Sequence, residues 1–566
     1  MDAYGRMYDL GGHTFPVTTK SQEAQKWFDR GLLWTYGYNH EEAVSCFKKA
    51  LEADPDCAMA HWGVGYASGP NYNMPWHLFD TRNRAKALAA GYESSQAALK
   101  LTNGLTDWEK ALVEALPSRY PQLDLIDDMR PWNDDFADAM RGAYQAHADS
   151  LEVQAIFAEA LLNRTPWKMW DLQSGEPAEG ASTKEAQKVL EAAMDSHPHA
   201  MKHPGILHLY VHLMEMSPHP ELALKASDVL RTLVPAAGHL VHMPTHIDVL
   251  CGHYQNVVQW NEAAVDADLI YFGEKGAFNL YSGYRLHNYH FVIYGALFLG
   301  QIEPAMAAIR GAEATVPDEM LQVESPPMAD YFESYLSFEP HVLVRFGKWQ
   351  EAIDMALPED QNLRCTLTAN IHYAKGVAHA ALGNVEAAEA AEADFLAAME
   401  NVPKSRQLHN NKVINLLEIA AAMLRGEILY RKGEFDAAFA ELRRSVELDD
   451  NLPYDEPWGW MQPTRHALGA LLLEQGRIDE AEATFREDLG LGGNLSRASV
   501  HPDNVWALKG LHDCLEARGK NGESGENGER AEIVQIRQRL EIANARADRA
   551  VSASCFCAQA ALRASA

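Results

Sequence analysis

Two His-x-x-x-His pairs, His208/His212 and His242/His246, stand 34 residues apart in this chain, member for member. Thirty-four residues is the length of a helix–turn–helix unit that stacks on copies of itself. The offset predicts that equivalent places on neighbouring hairpins carry the same imidazole pair. Residues four apart on a helix share a face. Stacking two such helices therefore brings four imidazoles together. The chain must be helical here, and successive hairpins must keep register.

The same hairpin pattern recurs away from the histidines. Across residues 24–57, Trp27, Gly31, Ala43, Phe47, Ala50 and Pro55 place small residues where two helices touch and large ones between hairpins. The proline ends the second helix. The step of 12 residues from Gly31 to Ala43 returns at Gly426/Ala438 and at Gly469/Ala481, the last followed by Phe485. Trp62 and Gly65 open a second unit, and Trp506 and Gly510 a last, incomplete one. In these residues the chain resembles tetratricopeptide-repeat (TPR) proteins over most of 24–518. The resemblance implies an all-α fold: a TPR (helix-turn-helix) solenoid with loop insertions in its concave groove. The expected organisation is an N-terminal arm at 1–23, the solenoid at 24–518, a flexible glycine-rich linker at 519–530, a charged helix at 531–549 and a tail at 550–566.

Composition agrees with a helical repeat array. Of 566 residues, 47% are hydrophobic, enough to bury a core along most of the length. Alanine, leucine and glutamate are frequent and β-branched runs are few. A formal charge of −30 argues against nucleic acid or an anionic membrane as main partner. No stretch reads as a membrane span, and residues 1–20 show no basic region followed by an apolar run. Seven cysteines show neither zinc-ribbon nor Cys-x-x-Cys spacing. Cys46, Cys57, Cys251, Cys365 and Cys514 read as reduced core cysteines, and Cys555 and Cys557 as exposed in the tail. A cytoplasmic location is expected.

The resemblance also orients the histidines. In tetratricopeptide proteins, positions 2, 5, 9 and 12 of each unit's first helix face the groove. His208, His242 and His290 fall at the fifth position, and His212 and His246 at the ninth. His239 and His287 fall at the second, and Glu215 at the twelfth. These residues should converge on one solvent-facing stretch of groove. Pro244 would break a helix joining His242 to His246 unless it lies in the first turn, so a helix starting near Val241 is expected. Pro204 should open the preceding helix in the same way.

Such a convergence predicts a divalent transition metal (Zn, Cu, Fe or Mn), with His208, His212, His239, His242, His246 and His290 as ligands. Glu215 would be a further ligand or the general base. Arg285, the one cation nearby, could hold a carboxylate or phosphate. The leading expectation is a metal-dependent enzyme acting on a small-molecule substrate. Lewis-acid chemistry, hydrolytic or lyase-type, is preferred over a binuclear copper-type or iron oxidoreductase. A structural ion is weighted low, because groove positions should face solvent. Aromatic insertions at 69–76, 166–170, 281–285 and 457–463 could shield a substrate. The rival expectation is a non-enzymatic scaffold that grips a peptide or protein partner. No phosphate-binding glycine loop, Gly-x-Ser-x-Gly elbow or His-Glu-x-x-His motif occurs. The segments 210–221, 238–247 and 57–63 resemble a group of microbial TPR proteins with this double-histidine signature. That resemblance implies the site and no particular reaction.

Overall fold

A computed structural model describes residues 2–520 and 527–558. Among the described residues the fold is all-α apart from one short antiparallel pair, Gln407–Leu408 with Asn411–Lys412, and an isolated bridge between Trp170 and Pro177. It divides into two compact units: Met1–Ile247 with Ala263–Gly276, and Asp248–Glu262 with Ala277–Ala566.

The first unit opens with the hairpin α1 (Gln22–Tyr36) and α2 (His40–Ala53), followed by α3 (Ala58–Ser68) and α4 (Thr81–Leu99). Ser21 caps α1 by accepting from the Ala24 amide, and Asn39 caps α2 by accepting from the Glu42 amide. Further on come α5 (Leu151–Leu162), α6 (Pro204–Met214), α7 (Gly238–His242) and α8 (Pro244–Leu250). The hairpins interlock through one aromatic ring. Phe47 of α2 fills the space left by two glycines, Gly31 on α1 and Gly63 on α3. A Cβ at either would meet the Phe47 ring at 2.6 Å.

The second unit uses the same device. Its hairpins are α9 (Ser282–Leu299) with α10 (Ile302–Ala314), α11 (Cys365–Ala381) with α12 (Val385–Glu400), α13 (Val413–Arg431) with α14 (Phe435–Asp450), and α15 (Thr464–Glu474) with α16 (Ile478–Asp488). Phe485 of α16 lies against Gly469 of α15 and Gly510 of α17 (Val505–Lys520), where Cβ atoms would meet its ring at 2.6 and 2.3 Å. The last helix, α18, spans Asn527–Asn544. It starts earlier and ends earlier than the expected 531–549, because Asn544 turns back to accept from the Val551 amide. Of the expected linker, 519–520 continue α17 and 521–526 lie outside the described residues. The tail is ordered as far as residue 558. Cys557 is buried in the core beside Trp506 and is disulfide-bonded to Cys555, so neither is a free exposed thiol. The other five cysteines are free thiols.

One turn geometry recurs between paired helices. The second residue after the first helix takes a left-handed backbone, and the next amide bonds back to the carbonyl five residues earlier. Gly383, Gly433 and Gly476 occupy the left-handed place, with φ of 80°, 79° and 72°. The bonds run from Asn384 to His379, Glu434 to Leu429 and Arg477 to Leu472. Five residues beyond each glycine, Ala388, Ala438 and Ala481 are fully buried at the helix contact. The first hairpin closes identically, from Asn39 to Trp34, with Ala43 at the buried place. Yet its left-handed residue is Tyr38, at φ 55°.

Replacing Phe47 by alanine should open a cavity against both glycines and cost about 3–5 kcal/mol. Urea unfolding of the full chain should show an earlier first-unit transition, with the second-unit transition unmoved.

Candidate metal centre

Pro204 takes the first position of α6, where its missing amide costs nothing, and its ring pre-sets the helical φ. His208 and His212 follow one turn apart on that helix, with ring centroids 4.7 Å apart. Pro244 acts differently from expectation. It does not sit in the first turn of a helix from Val241; it ends α7 at His242 and opens α8. His239 and His242 therefore lie on α7 and His246 on α8. The two short helices still bring His242 Nε2 within 2.9 Å of His246 Nε2.

Five imidazoles close into a ring within the first unit. His208 meets His239 at 4.9 Å between centroids, His239 meets His242 at 5.9 Å, and His242 meets His246 at 4.8 Å. His246 meets His212 at 6.4 Å, and His212 returns to His208. His208 Nε2 and His239 Nε2 are 3.1 Å apart. The 34-residue offset would pair His208 with His242 and His212 with His246; the structure pairs His208 with His239 and His242 with His246.

Glu215 sits beneath this ring. His212 Nδ1 is 3.0 Å from one of its carboxylate oxygens, and His246 Nδ1 is 2.9 Å from the other. An ionised carboxylate can only accept, so in the hydrogen bond to His212 the proton is on Nδ1 and the lone pair on Nε2. The approach of His246 is not aligned as a hydrogen bond. A carboxylate that fixes the tautomer of an imidazole in this way is the usual outer partner of a metal-binding histidine. Glu215 itself is 0% exposed.

The ring is buried, contrary to the expected solvent-facing groove. His208, His239 and His246 are 1% exposed, and His212 and His242 are 0% exposed. Burial pushes the His208 pKa down to about 3, against a hydrogen bond to the Tyr36 backbone carbonyl that favours the protonated ring. His208 is thus neutral near pH 7, the form that ligates metal.

Three aromatic rings wall the histidines. Tyr38 lies 4.6 Å from His208, 5.3 Å from His239 and 5.8 Å from His212, nearly parallel to the last two. Tyr72, from the 69–76 insertion, is 4.7 Å from His212. Trp167, from the 166–170 insertion, is 5.8 Å from His212 and 5.1 Å from Tyr72. Trp167, like Tyr38, holds a left-handed backbone, with φ 60°.

Donor set and spacing fit a transition metal. Metal–nitrogen bonds of about 2.0–2.1 Å at tetrahedral or octahedral angles separate ligand nitrogens by about 2.9–3.4 Å. The observed Nε2 pairs, at 3.1 and 2.9 Å, fall in that range. His208, His212 and His239 offer nitrogens that all lie within 4.8 Å of one another.

Several other expected site residues belong to the second unit. His290 belongs to the second unit, where it stacks on Phe338 at 4.4 Å and its Nε2 is 3.0 Å from the Met461 sulfur. Arg285 is buried in the same unit and reaches the Ser282 hydroxyl and the Thr315 carbonyl. It is held by its own helix and the next turn, not presented as an anion clamp. His287 packs on Phe291 and His409, and His466 pairs with Asp488. His219 is exposed beside Glu221, and His253 pairs with Asp248. His203 lies at the start of α6, facing Glu152. Tyr38 is the participant that sequence reasoning missed. Its signal was available: the aligned turns carry glycine where this one carries tyrosine.

Comparison with known proteins agrees with the hairpin geometry. A family model described as "Tetratricopeptide repeat" matches residues 39–57. That match lies on α2 and the turns that flank it. Among solved structures, the chain is similar to the APC/C hetero-tetramer Cut9-Hcn1, at 12% identity and TM-score 0.30, over 93% of this chain and 78% of that one. It is also similar to yeast Tom70, at 11% identity and TM-score 0.29, over 90% and 99%. Naa15/Naa10 bound to HypK matches at 12% identity and TM-score 0.23, over 96% and 74%. No curated protein matches the sequence. No helix among the described residues is long and apolar enough to cross a membrane.

The low pKa of His208 has a consequence for the metal-free chain. Its unfolded value is near 6.5 and its folded value about 3, so between those values the unfolded state binds the extra proton. Stability should fall as pH drops from 7 toward 4, by up to about 1.4 kcal/mol per pH unit for each histidine so buried. Urea midpoints measured with chelator at pH 7 and pH 5 test the sign; a first-unit transition that strengthens on acidification would refute it.

Proposed function

We propose that the chain is a helical-repeat binding scaffold whose first unit is built around a resident transition-metal ion. His208, His212 and His239 would hold the ion, and His242 and His246 would complete or neighbour the set. Glu215 orients His212 and His246. The observation that carries this reading is the closed ring of five buried imidazoles with one carboxylate against two of them. An all-nitrogen set suits Zn, Cu, Fe or Ni. A metal that catalyses keeps a position open to substrate, whereas a closed set of ligands holds structure. The 0–1% exposure of all five rings favours the second role. The stacked hairpins then supply the binding surface, and the chain's charge of −30 favours a partner peptide or protein with basic segments.

A second reading, a metalloenzyme acting on a small molecule, draws support from one observation. Tyr38 and Trp167 both hold left-handed backbones and both touch His212. Strain of that kind gathers at functional sites. Lewis-acid or redox chemistry at the ring would require the aromatic wall to move aside.

Metal analysis of the full-length protein should find about one ion per chain, lost in a His208→Ala/His239→Ala variant. Chelation should lower the melting temperature of the wild type and leave that of the variant unchanged. Wild-type protein that holds no metal, and gains none on dialysis against zinc or copper, would sink the proposal. Glu215→Gln removes the carboxylate charge and leaves one acceptor oxygen beside one NH2 against His212 and His246. Chelator competition should show affinity about 10–100-fold weaker for this variant. Metal-dependent turnover of a small molecule would decide for the second reading.

A further inference from the structure

The first unit carries a second concentration of histidine that the buried ring does not use. An open cavity of about 1150 Å³ is lined by 20 residues, five of which are histidine: His13, His147, His197, His199 and His203. With 24 histidines in 566 residues, fewer than one would be expected there. Glu152, on α5, lies at the cavity wall and is 3% exposed. His13 Nε2 is 3.4 Å from Glu152 Oε1, and His203 Nε2 is 3.0 Å from the same oxygen. Neither approach is aligned as a hydrogen bond. Three polar atoms thus converge on one point of the cavity wall.

The two histidines are not equivalent. His203 caps α6, and its Nδ1 accepts from the Ile206 amide at 3.1 Å. A neutral imidazole that accepts at Nδ1 carries its proton on Nε2 and has no lone pair there to give. His203 is therefore a positioning residue for Glu152. His13 has no such tie, and its side chain is 21% exposed. The second carboxylate oxygen of Glu152 accepts from the Tyr36 hydroxyl. That leaves Oε1 as the oxygen turned toward His13.

We propose that this cavity is a second, solvent-open site for a divalent transition metal, bound by His13 Nε2 and Glu152 Oε1, with water completing the shell. The 3.4 Å separation of those two atoms matches adjacent ligands about a metal with bonds of about 2.0–2.2 Å. Two protein ligands hold an ion weakly and exchangeably, unlike the closed imidazole ring. His147, His197 and His199 raise the local density of metal-binding groups at the cavity wall. Tyr36 joins this site to the ring, since its hydroxyl bonds Glu152 and its backbone carbonyl bonds His208. The site stands on its own geometry and does not require the ring to be filled.

Zinc-loaded full-length protein, challenged with a chromogenic chelator, should release metal in a fast phase from the cavity and a slow phase from the ring. His13→Ala should remove the fast phase or weaken that site about tenfold or more, and keep the slow one. Glu152→Gln should do the same. His208→Ala/His212→Ala should remove the slow phase and keep the fast one. His13 lies on a partly exposed arm, so its removal should leave the circular-dichroism melt in place. A fast phase undiminished in both His13→Ala and Glu152→Gln, or a wild type with no fast phase, overturns the cavity site. A fast phase without a slow one overturns the ring instead.

Discussion

The buried Glu215 carboxylate is the group on which the arrangement of the first unit's histidines turns. A charge with no exposure to water must be matched by donors or it costs several kcal/mol. Here His212 Nδ1–H donates to one oxygen, and His246 Nδ1, carried on a different helix, approaches the other to 2.9 Å. The requirement to satisfy one carboxylate thus fixes α6 against α8, and it sets which ring nitrogen of each imidazole faces inward. An Asp in its place would be one methylene short and could not span both. The same constraint explains why Pro244 is accommodated. The break at Met243 frees α8 to turn, so that His246 can face His242 on one side and Glu215 on the other.

Tyr38 shows the same priority from the side of the backbone. Its counterparts in later hairpins are glycines, which take a left-handed φ without a Cβ penalty. A tyrosine there gives up about 1–2 kcal/mol of backbone preference. What it gains is a ring stacked on His212 and His239 and close to His208, in a place no longer side chain from α1 or α2 reaches. The first hairpin closes with the same hydrogen bond as the others, so the substitution does not serve the fold. It serves the wall of the histidine ring. Trp167 repeats the bargain from a loop, against the same imidazole.

Much of the fold could be read from spacing alone. Gly31, Ala43 and Phe47 are local in sequence, and their 3.6-residue periodicity and fixed offsets state the hairpin directly; Gly469, Ala481 and Phe485 state it again. The His208/His212 pair was legible for the same reason. Exposure was not. Whether a groove position meets water depends on what the loops at 69–76 and 166–170 do, and loop paths are set by tertiary contacts such as Tyr72 with Trp167. Pairing was not legible either. Equal repeat positions suggested equal partners, but the proline between α7 and α8 shifts His246 out of the register that an unbroken helix would impose. His13 and Glu152 are 139 positions apart in the chain, and no local pattern links an arm to a helix so distant.

The two histidine sites of the first unit differ in their enclosure. In the ring, every imidazole is enclosed, and His212 and His208 are tied to the Glu215 carboxylate and the Tyr36 carbonyl. In the cavity, His203 is dictated by the Ile206 amide while His13 remains half open to water. Burial alone does not separate His203 at the start of α6 from His208 on it, since both are 1% exposed. The opening to water comes from the N-terminal arm, which brings the partly exposed His13 against the buried Glu152. A repeat fold reaches both conditions side by side because its helices enclose the ring while a segment outside the hairpins borders the cavity.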